Sequence, residues 1–508
     1  MTGAGGRPLI RHNDYSPLTP PPLGAWTPSL PVSVVIPAYG GQHRLDLTLA
    51  ALAAQSYPSG LMEAVVVDDG SEPPLRLPDI RPRNTRLVRS TPGGWGIAHA
   101  LNTGVRLAEG EVVQRLDSDM VICREHIEAL MRWHHLTDYV VTIGGKVFVD
   151  EPPRTAAQVH AAVRDGAFDT LFDLANAVPS STEATIRRLD GLRASKNPYH
   201  VCTGPTVSFR RELFEQVGGL DPRVLRGEDT EFAYRLAMSG AVFVPDMEAR
   251  AVHLGLPAQR VDTDATVRVV APYLAQRVPL RRDLRKEAGR RWLVPYVEVV
   301  LAVEDRTEPQ VRAAVAAALG GSLPDVRATL VAPWDRLPEG RHRVLDDPDL
   351  ELRLIHEQFR YDEGVLLAPA APDLATIPFR YTGPVDVPLH RRSLEVMIRM
   401  MAEDRAGLLV VEFPDGRTAR MERTDAVNRA RLLAGPGEEL AEVIERTHGV
   451  RRAPAAKFWP PSPSAAGPAA ASASAGPAAA SASAGSAAAS GPEGKKLVKR
   501  LRTALRGR

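Results

Sequence analysis

Apolar runs that each end in polar or acidic residues most constrain how the first half of this chain can fold. The run Val32–Ile36 ends at Pro37, residues 44–55 have leucines at helical spacing, and the run Ala64–Val67 ends at Asp68-Asp69. A strand, a helix and a strand within about 40 residues form a βαβ unit, which requires parallel pairing and a right-handed crossover. An α/β domain is therefore predicted to begin here.

The residues that follow the strands are expected to carry the chemistry. Asp117 and Asp119 follow a later apolar run over residues 112–116, and ligands of parallel sheets bind outside the carboxyl ends of the strands. The spacing of two residues aims both carboxylates at one side, which suits a hard divalent cation shared with phosphate oxygens. For either aspartate pair alone, acidic residues that merely end strands are the alternative.

Five motifs occur in a fixed order within residues 31–258: Val32-Ser-Val-Val-Ile-Pro-Ala-Tyr39, Val67-Asp-Asp-Gly-Ser71, Ala108-Glu-Gly-Glu111, Leu116-Asp-Ser-Asp-Met120 and Arg226-Gly-Glu-Asp229. In order and approximate spacing they resemble family 2 glycosyltransferases of the GT-A fold. The resemblance implies an α/β fold, with a Rossmann-like domain that binds a nucleotide sugar.

The resemblance implies a nucleotide-diphosphate sugar as donor, with a UDP-sugar favoured. It places Pro37, Ala38, Asp68 and Asp69 against the base. Asp69 is preferred for the base contact, because a carboxylate accepts a directional, charge-assisted bond from a ring N–H.

The resemblance also implies a divalent cation, Mn²⁺ or Mg²⁺, that bridges the diphosphate. It places Asp117 near the ribose and the metal, makes Asp119 a direct metal ligand, and matches His253 to a third ligand. A dication would neutralise the negative charge that grows on the leaving diphosphate. A loop histidine after a strand is the alternative for His253.

Asp229 is predicted to be the general base, with Glu228 beside it. An acceptor hydroxyl must lose its proton as it attacks the anomeric carbon, and the resemblance assigns this task to the Glu-Asp pair of inverting members. Glu228 is expected to orient the acceptor or to raise the proton affinity of the base. A charged first helical turn, favoured by the helix dipole, is the alternative and is compatible with catalysis. Related retaining transferases leave the stereochemistry open.

Two segments depart from the family pattern. Leu101 replaces the usual arginine in the Gly96–Gly104 segment, and either His99 substitutes for it or His99 is a plain surface residue. Trp95 is a candidate platform for a sugar or base. The added segment 152–200 is expected to build the acceptor pocket, with acceptor contacts at Asn197–Gly204.

Residues 293–458 are predicted to form a second, smaller α/β domain after a basic connector at 259–292. The run Val294–Val303 echoes Leu30–Ala38, and a helix and a strand follow in the same order, which indicates a degenerate second GT-A-like unit. Ala332-Pro-Trp-Asp335 stands in the place of the aspartate pair, so no catalysis is expected there. An accessory domain that binds acceptor or mediates a homodimer is the alternative.

The two ends differ in composition from the rest. Residues 1–30 are Pro-rich and are predicted to be an extended leader that adds no core element. Residues 459–492 are mostly Ala, Ser, Gly and Pro and are predicted to be a disordered linker. Residues 493–508 hold seven basic residues and one acidic residue, which gives +6 and leaves −4 for the remainder of a chain whose net charge is +2. This tail is amphipathic, so an anionic membrane leaflet or an acidic protein would attract it, and solvated terminal charge is the alternative.

Composition excludes several classes of protein. The hydrophobic share of 44% and the charged share of 24% indicate a globular chain, and no apolar run is long enough to span a membrane. The near-neutral net charge gives no reason to expect nucleic acid as a partner. Two cysteines, Cys123 and Cys202, cannot form a disulfide framework, and Met1–Gly6 lacks an apolar signal core. A cytoplasmic location is expected, with the tail at the inner face of the membrane.

The sequence therefore predicts a metal-dependent, inverting glycosyltransferase that acts on a glycan, lipid-linked or cell-envelope acceptor. A non-catalytic glycan-binding or assembly subunit with a decayed fold is the alternative, and the retention of Asp117, Asp119 and Asp229 argues against it. A sugar-1-phosphate nucleotidyltransferase would need a Gly-rich, basic loop after the first strand, which Ala38–Gly41 lacks.

Overall fold

The structure is a computed structural model that describes residues 6–151, 153–256, 262–287, 289–337, 343–373 and 376–460. The described residues up to Trp459 form one compact unit, which contains two β-sheets. The predicted basic tail and nearly all of the predicted linker lie outside the described residues. Among the helices described, none combines the length and apolarity needed to cross a membrane.

The first sheet has the strand order β3-β2-β1-β4-β8-β6-β9-β5, and β7 pairs with β6. Its strands are β1 Val32–Ala38, β2 Met62–Asp68, β3 Thr85–Arg89, β4 Val112–Arg115, β5 Met120–Ile122, β6 Val140–Val149, β7 Val178–Pro179, β8 Val207–Arg210 and β9 Val242–Leu254. Its helices are α1 Gln42–Ala53, α2 Ile97–Leu107, α3 His126–His134, α4 Ala156–Arg164, α5 Ser181–Arg188, α6 Arg211–Gln216 and α7 Glu228–Met238.

The predicted βαβ unit is confirmed. Strand β1 pairs in parallel with both β2 and β4, and β2 pairs in parallel with β3. Every residue of β1 and β2 is buried, because helices cover both faces of a parallel sheet and its strands therefore read as continuous apolar runs. Ala38 and Asp68 are register partners at the ends of β1 and β2, so the residues that follow β1, β2 and β4 meet at one edge.

The second sheet has the order β12-β11-β10-β13-β15-β14-β16. Its strands are β10 Val297–Ala302, β11 Val326–Val331, β12 Val365–Ala368, β13 Phe379–Thr382, β14 Leu408–Glu412, β15 Thr418–Arg423 and β16 Val450–Pro454. The remaining helices are α8 Thr263–Arg277, α9 Glu308–Leu319, α10 Leu350–Phe359, α11 Ser393–Asp404, α12 Thr424–Leu433 and α13 Leu440–Thr447.

The second sheet repeats the strand order of the first. β12-β11-β10-β13 are joined by parallel pairs and β15 is antiparallel to β13, as β3-β2-β1-β4 are joined by parallel pairs and β8 is antiparallel to β4. A second sheet domain therefore exists, and its order is the one that a degenerate second GT-A-like unit would have. The boundaries predicted for the domains stay a prediction.

The leader contributes to the core, so the expectation that it adds no core element was wrong. Ile10, Tyr15 and Leu18 are buried in a cluster that also contains apolar residues of β6, β9 and β14. The side chain of Asn13 bonds the backbone of Phe243 in both directions, with Nδ2 donating to the carbonyl over 2.9 Å and Oδ1 accepting from the N–H over 2.8 Å. The leader lacks periodicity because its apolar residues pack between two sheets and not on one element's face.

Candidate active site

A crevice of about 420 Å³ opens at the carboxyl edge of the first sheet. It brings together residues from the end of β1, from the loop after β2, from the start of α2 and from the start of α7. Four of the predicted site residues line it, namely Pro37, Ala38, Asp69 and Glu228. Three of the predicted donor residues and one member of the predicted Glu-Asp pair therefore share one cavity.

The two aspartates after β2 have different surroundings. The Asp68 carboxylate accepts hydrogen bonds from the backbone N–H of Ser71 over 2.8 Å and of Leu75 over 3.1 Å. Burial acts to raise the pKa of Asp68, but these hydrogen bonds outweigh it and hold the pKa below its usual value. The carboxylate of Asp68 thus shapes the loop, and Asp68 is absent from the described lining of the crevice.

Asp69 faces the crevice and holds the loop opposite. One carboxylate oxygen accepts from the backbone N–H of Gly96 over 2.6 Å, and the other accepts from the hydroxyl of Ser90. Trp95, which precedes Gly96, meets Tyr39 edge to face with ring centroids 5.6 Å apart. The two rings are 66% and 64% exposed, so apolar ring surface is available at the mouth of the crevice.

Neither His99, which was predicted as a substitute for the missing cationic contact, nor Leu101 is among the described residues that line the crevice. His99 Nε2 lies 2.7 Å from the carbonyl oxygen of Thr91, so the imidazole packs against its own loop. Leu101 is buried in the core beneath α2. The position of the usual arginine is therefore an apolar core position in this chain.

Asp119 and His253 lie close together although 134 positions separate them in the chain. Strand β5 pairs with β9 so that Met120 is the register partner of His253, and His253 Nε2 lies 3.5 Å from Asp119 Oδ1. Arg44 Nη1 is 4.0 Å from the other oxygen. Burial raises the pKa of Asp119, against the opposing effect of the His253 and Arg44 charges.

Asp117 is held by a neighbouring cation. Arg115 Nε donates to Asp117 Oδ1 over 3.1 Å. Within the described ranges, no group of three or more His, Cys, Asp or Glu side chains is arranged to hold a metal ion. Mg²⁺-type sites commonly use one or two carboxylates and take their other ligands from substrate phosphates and water. Asp119 and His253 fit such a site, because His253 Nε2 and Asp119 Oδ1 lie 3.5 Å apart and both are groups that bind divalent cations.

Arg115 and Lys146 are buried cations that sequence reasoning missed. Burial disfavours the charge of Arg115, but Asp117, Glu228 and Asp229 outweigh that effect and raise its pKa. Lys146 Nζ donates to the carbonyl of Thr203 over 2.7 Å. Burial lowers the pKa of Lys146, against the opposing charges of Asp229 and Asp117. A charged residue inside an otherwise apolar strand is the signal that could have found both residues.

The Glu-Asp pair begins α7. Gly227 precedes the helix with φ +86°, a conformation that favours glycine. Glu228 lines the crevice, whereas Asp229 lines a small pocket together with Arg115, Cys202 and Gly204. Burial, and next the charge of Asp229, raise the pKa of Glu228.

The added segment forms one wall of a second cavity of about 400 Å³. Phe168, Leu174, Glu183 and Arg187 come from the segment, and Lys146 belongs to the opposite wall. From the predicted acceptor segment Asn197–Gly204, Cys202 and Gly204 line the pocket of Asp229. Asn197, Pro198 and Tyr199 line a different cavity, which lies between the two sheets.

One protein-family model and several curated proteins match part of the chain. Residues 33–218 match the family model described as Glycosyl transferase family 2. The chain is 26% identical over 317 residues to a chondroitin synthase of Escherichia coli. The matched region is 59% of this chain and 46% of that protein. The chain is also 26% identical over 291 residues to a chondroitin synthase of Pasteurella multocida (strain Pm70). That matched region is 53% of this chain and 30% of that protein. The chain thus spans less than half the length of these relatives.

Solved structures also resemble the chain. The mannosyltransferase PcManGT from Pyrobaculum calidifontis, in complex with GDP-Man and Mn²⁺, is 23% identical with a TM-score of 0.32, over 51% of this chain and 66% of that one. S. aureus TarS 1-349, in complex with UDP-GlcNAc, is 18% identical with a TM-score of 0.33, over 49% of this chain and 68% of that one. TM-scores this low carry no argument, so the likeness to family 2 glycosyltransferases rests on the family match and on the strand order of the sheet. Residues 33–218 thus match family 2 glycosyltransferases, and the mixed sheet that begins with them is typical of the GT-A fold.

Proposed function

We propose that the chain transfers a sugar from a nucleotide-diphosphate donor to a hydroxyl of a glycan, lipid-linked or cell-envelope acceptor, with inversion and with a divalent cation. The observation that carries the proposal is the position of Arg115. Its buried guanidinium interacts with Asp117, with Glu228 in the donor crevice and with Asp229 in the small pocket beside it. The charged groups that a transfer reaction needs therefore converge on one residue.

The donor crevice offers what a nucleotide base requires. Tyr39 and Trp95 present ring surface at its mouth, and Asp69 presents a carboxylate that can accept from a ring N–H. Pro37 and Ala38 supply backbone at the crevice floor. A base that carries a ring N–H, such as the uracil of a UDP-sugar, fits these features.

Asp119 and His253 would hold Mn²⁺ or Mg²⁺, with Asp117 nearby. When bound, the cation neutralises the negative charge that develops on the leaving diphosphate. Arg44 Nη1, 4.0 Å from the carboxylate of Asp119, adds positive charge beside this pair.

Asp229 takes the proton of the acceptor hydroxyl. The hydroxyl oxygen then forms a bond to the anomeric carbon while the bond from that carbon to the diphosphate breaks. A single displacement of this kind inverts the configuration. The cavity walled by the added segment supports an acceptor site, because Lys146 lines that cavity and also interacts electrostatically with Asp229.

A donor screen tests the proposal. Release of nucleoside diphosphate is measured with Mn²⁺ for a panel of nucleotide sugars, with and without acceptor glycans. Asp229→Asn is expected to lower acceptor-dependent turnover about 10²- to 10⁴-fold, the usual contribution of a general base. Asp264→Asn, in the exposed first turn of α8, is the matched control.

Two outcomes would contradict the assignment. One is acceptor-dependent turnover that Asp229→Asn leaves intact. The other is donor binding without turnover for every donor, which would favour the alternative of a non-catalytic glycan-binding subunit.

A further inference from the structure

A cavity of about 190 Å³ lies between the two sheets, apart from the transferase crevice. Several segments that are distant in sequence form its walls. His12 comes from the leader, residues 195–199 come from the connection before β8, and Arg405, Arg423 and His448 come from the second half of the chain. None of its described lining residues also lines the crevice or the cavity of the added segment.

Positive charge is in surplus in this cavity. Lys196, Arg405, Arg423 and Arg429 line it, and among the described lining residues Asp425 is the one acidic side chain. Asp425 is already paired with Arg423, which donates to it over 3.1 Å from Nε and over 2.5 Å from Nη2.

The other basic side chains that line the cavity differ in their burial and in their hydrogen-bond partners. Arg429 is buried and donates to backbone carbonyls, including that of Ala241 over 3.1 Å. Lys196 Nζ donates to the carbonyl of Ala402 over 3.1 Å. Arg405 donates from Nη2 to the carbonyl of Ser195 over 3.2 Å, and no ion pair to it is found in the part of the chain that the structure describes. The guanidinium of Arg405 thus has spare donors and no counter-charge among the described residues, and the same holds for the ammonium group of Lys196.

Mutual repulsion adds to this imbalance. Burial lowers the pKa of Arg405, and the charges of Arg423 and Arg11 lower it further. His12 also faces the cavity, where burial and then the charge of Arg405 lower its pKa to about 4. An anion in the cavity would offset both effects.

The backbone is strained where these side chains meet. Four non-glycine residues have positive φ in the described residues, and two of them, His12 at +52° and Arg405 at +53°, line this cavity. Residues held in such conformations cluster at ligand sites, where the surrounding structure imposes them. Charge surplus and strain therefore coincide at one place.

We propose that this cavity binds a small multivalent oxyanion of the phosphate or diphosphate class, with Arg405 as its principal ligand. Arg423, Lys196 and His12 surround the anion. The volume lies below the roughly 300 Å³ at which pockets begin to accept drug-sized ligands, so a phosphate or diphosphate group fits better than a whole nucleotide sugar. The proposal does not depend on the transferase assignment.

Calorimetric titration of the full chain with sodium diphosphate tests the proposal, at constant ionic strength and without divalent cations. Parallel titrations with inorganic phosphate and with UDP show whether the cavity binds a free oxyanion or the diphosphate group of a nucleotide. We expect saturable binding of diphosphate and weaker binding of phosphate. UDP should bind at this site no more tightly than diphosphate does. Asp119→Asn, at the predicted cation site, should bind diphosphate as the unmodified chain does.

Arg405→Gly is the decisive variant. Glycine adopts φ +53° without strain, so the variant should unfold at the same temperature as the unmodified chain or higher, while its diphosphate affinity falls at least tenfold. Arg405→Gln gives the same binding test if the glycine variant is less stable. Arg312→Gln, on exposed α9, is the control and should bind normally. The proposal is overturned by absence of saturable binding, by equal affinities of the Arg405 variants and the unmodified chain, or by loss of binding in Asp119→Asn alone.

Discussion

Glu228 and Asp229 are neighbours in the chain but line different pockets. Glu228 faces the donor crevice, and Asp229 faces the small pocket that contains Arg115. Successive side chains on an α-helix point about 100° apart, so the start of α7 presents one carboxyl group to each side. This division gives the two residues of the Glu-Asp pair separable roles.

Glu228→Gln should change how stability depends on pH. The pKa of Glu228 is raised above its usual 4.5 by burial and by Asp229. The folded chain therefore holds this proton to a higher pH than the unfolded chain does, and the free energy of unfolding falls as the pH rises from 4.5 through the raised pKa. The glutamine variant lacks this decline, so its stability relative to the unmodified chain should improve across that window. Urea unfolding at a series of pH values measures the effect, and parallel curves would contradict it.

Arg115→Gln should destabilise the fold and abolish transfer. The substitution leaves Asp117, Glu228 and Asp229 around a neutral side chain, and breaking a buried ion pair costs about 3–5 kcal/mol. The matched control, Arg312→Gln, removes an exposed pair with Glu308 and should cost less than about 1 kcal/mol. Chemical denaturation compares the two variants. Equal losses would show that Arg115 does not hold the acidic groups together.

Asp119→Asn and His253→Ala should each weaken the response to Mn²⁺. If these side chains hold the cation, removing either is expected to raise the Mn²⁺ concentration needed for half-maximal donor binding at least tenfold. Donor binding is followed by calorimetry over a Mn²⁺ titration, and a chelator should abolish turnover. An unchanged Mn²⁺ response in both variants would remove this pair as the cation site.

Trp95→Ala should weaken donor binding without affecting the fold. An aromatic stacking partner contributes about 0.5–1.5 kcal/mol, so donor affinity should fall roughly two- to tenfold. Because the ring is 66% exposed, the melting temperature should not change. Tyr361→Ala, which removes another exposed aromatic ring, on the second half of the chain, is the control. Donor affinity equal to that of the unmodified chain would exclude Trp95 as a platform.

Removal of residues 493–508 should abolish binding to anionic vesicles. The segment carries seven of the chain's Lys and Arg residues, and each basic residue near an anionic surface contributes about 1 kcal/mol. Co-sedimentation with and without the segment measures this, with neutral vesicles as the control. Equal binding of the two forms would leave the predicted contact with the inner membrane face without support.

The sequence by itself determined the βαβ opening and the edge at which the acidic residues gather. Buried parallel strands must be continuously apolar, and the residues after them must emerge at one edge, so Asp69 and Asp119 could be placed from local pattern alone. The second sheet could be anticipated for the same reason, because Val294–Val303 repeats the apolar run of β1.

Only the tertiary structure decided which partners these groups have. Asp68 differs from Asp69 because the loop after β2 turns its own N–H groups onto one carboxylate and leaves the other facing the crevice. Arg115 meets Asp229 across more than a hundred positions of chain, and the leader enters the core through contacts with both sheets. Such pairings depend on how separate elements pack together, and the free energy of a buried charge depends on those long-range neighbours and not on its own local sequence.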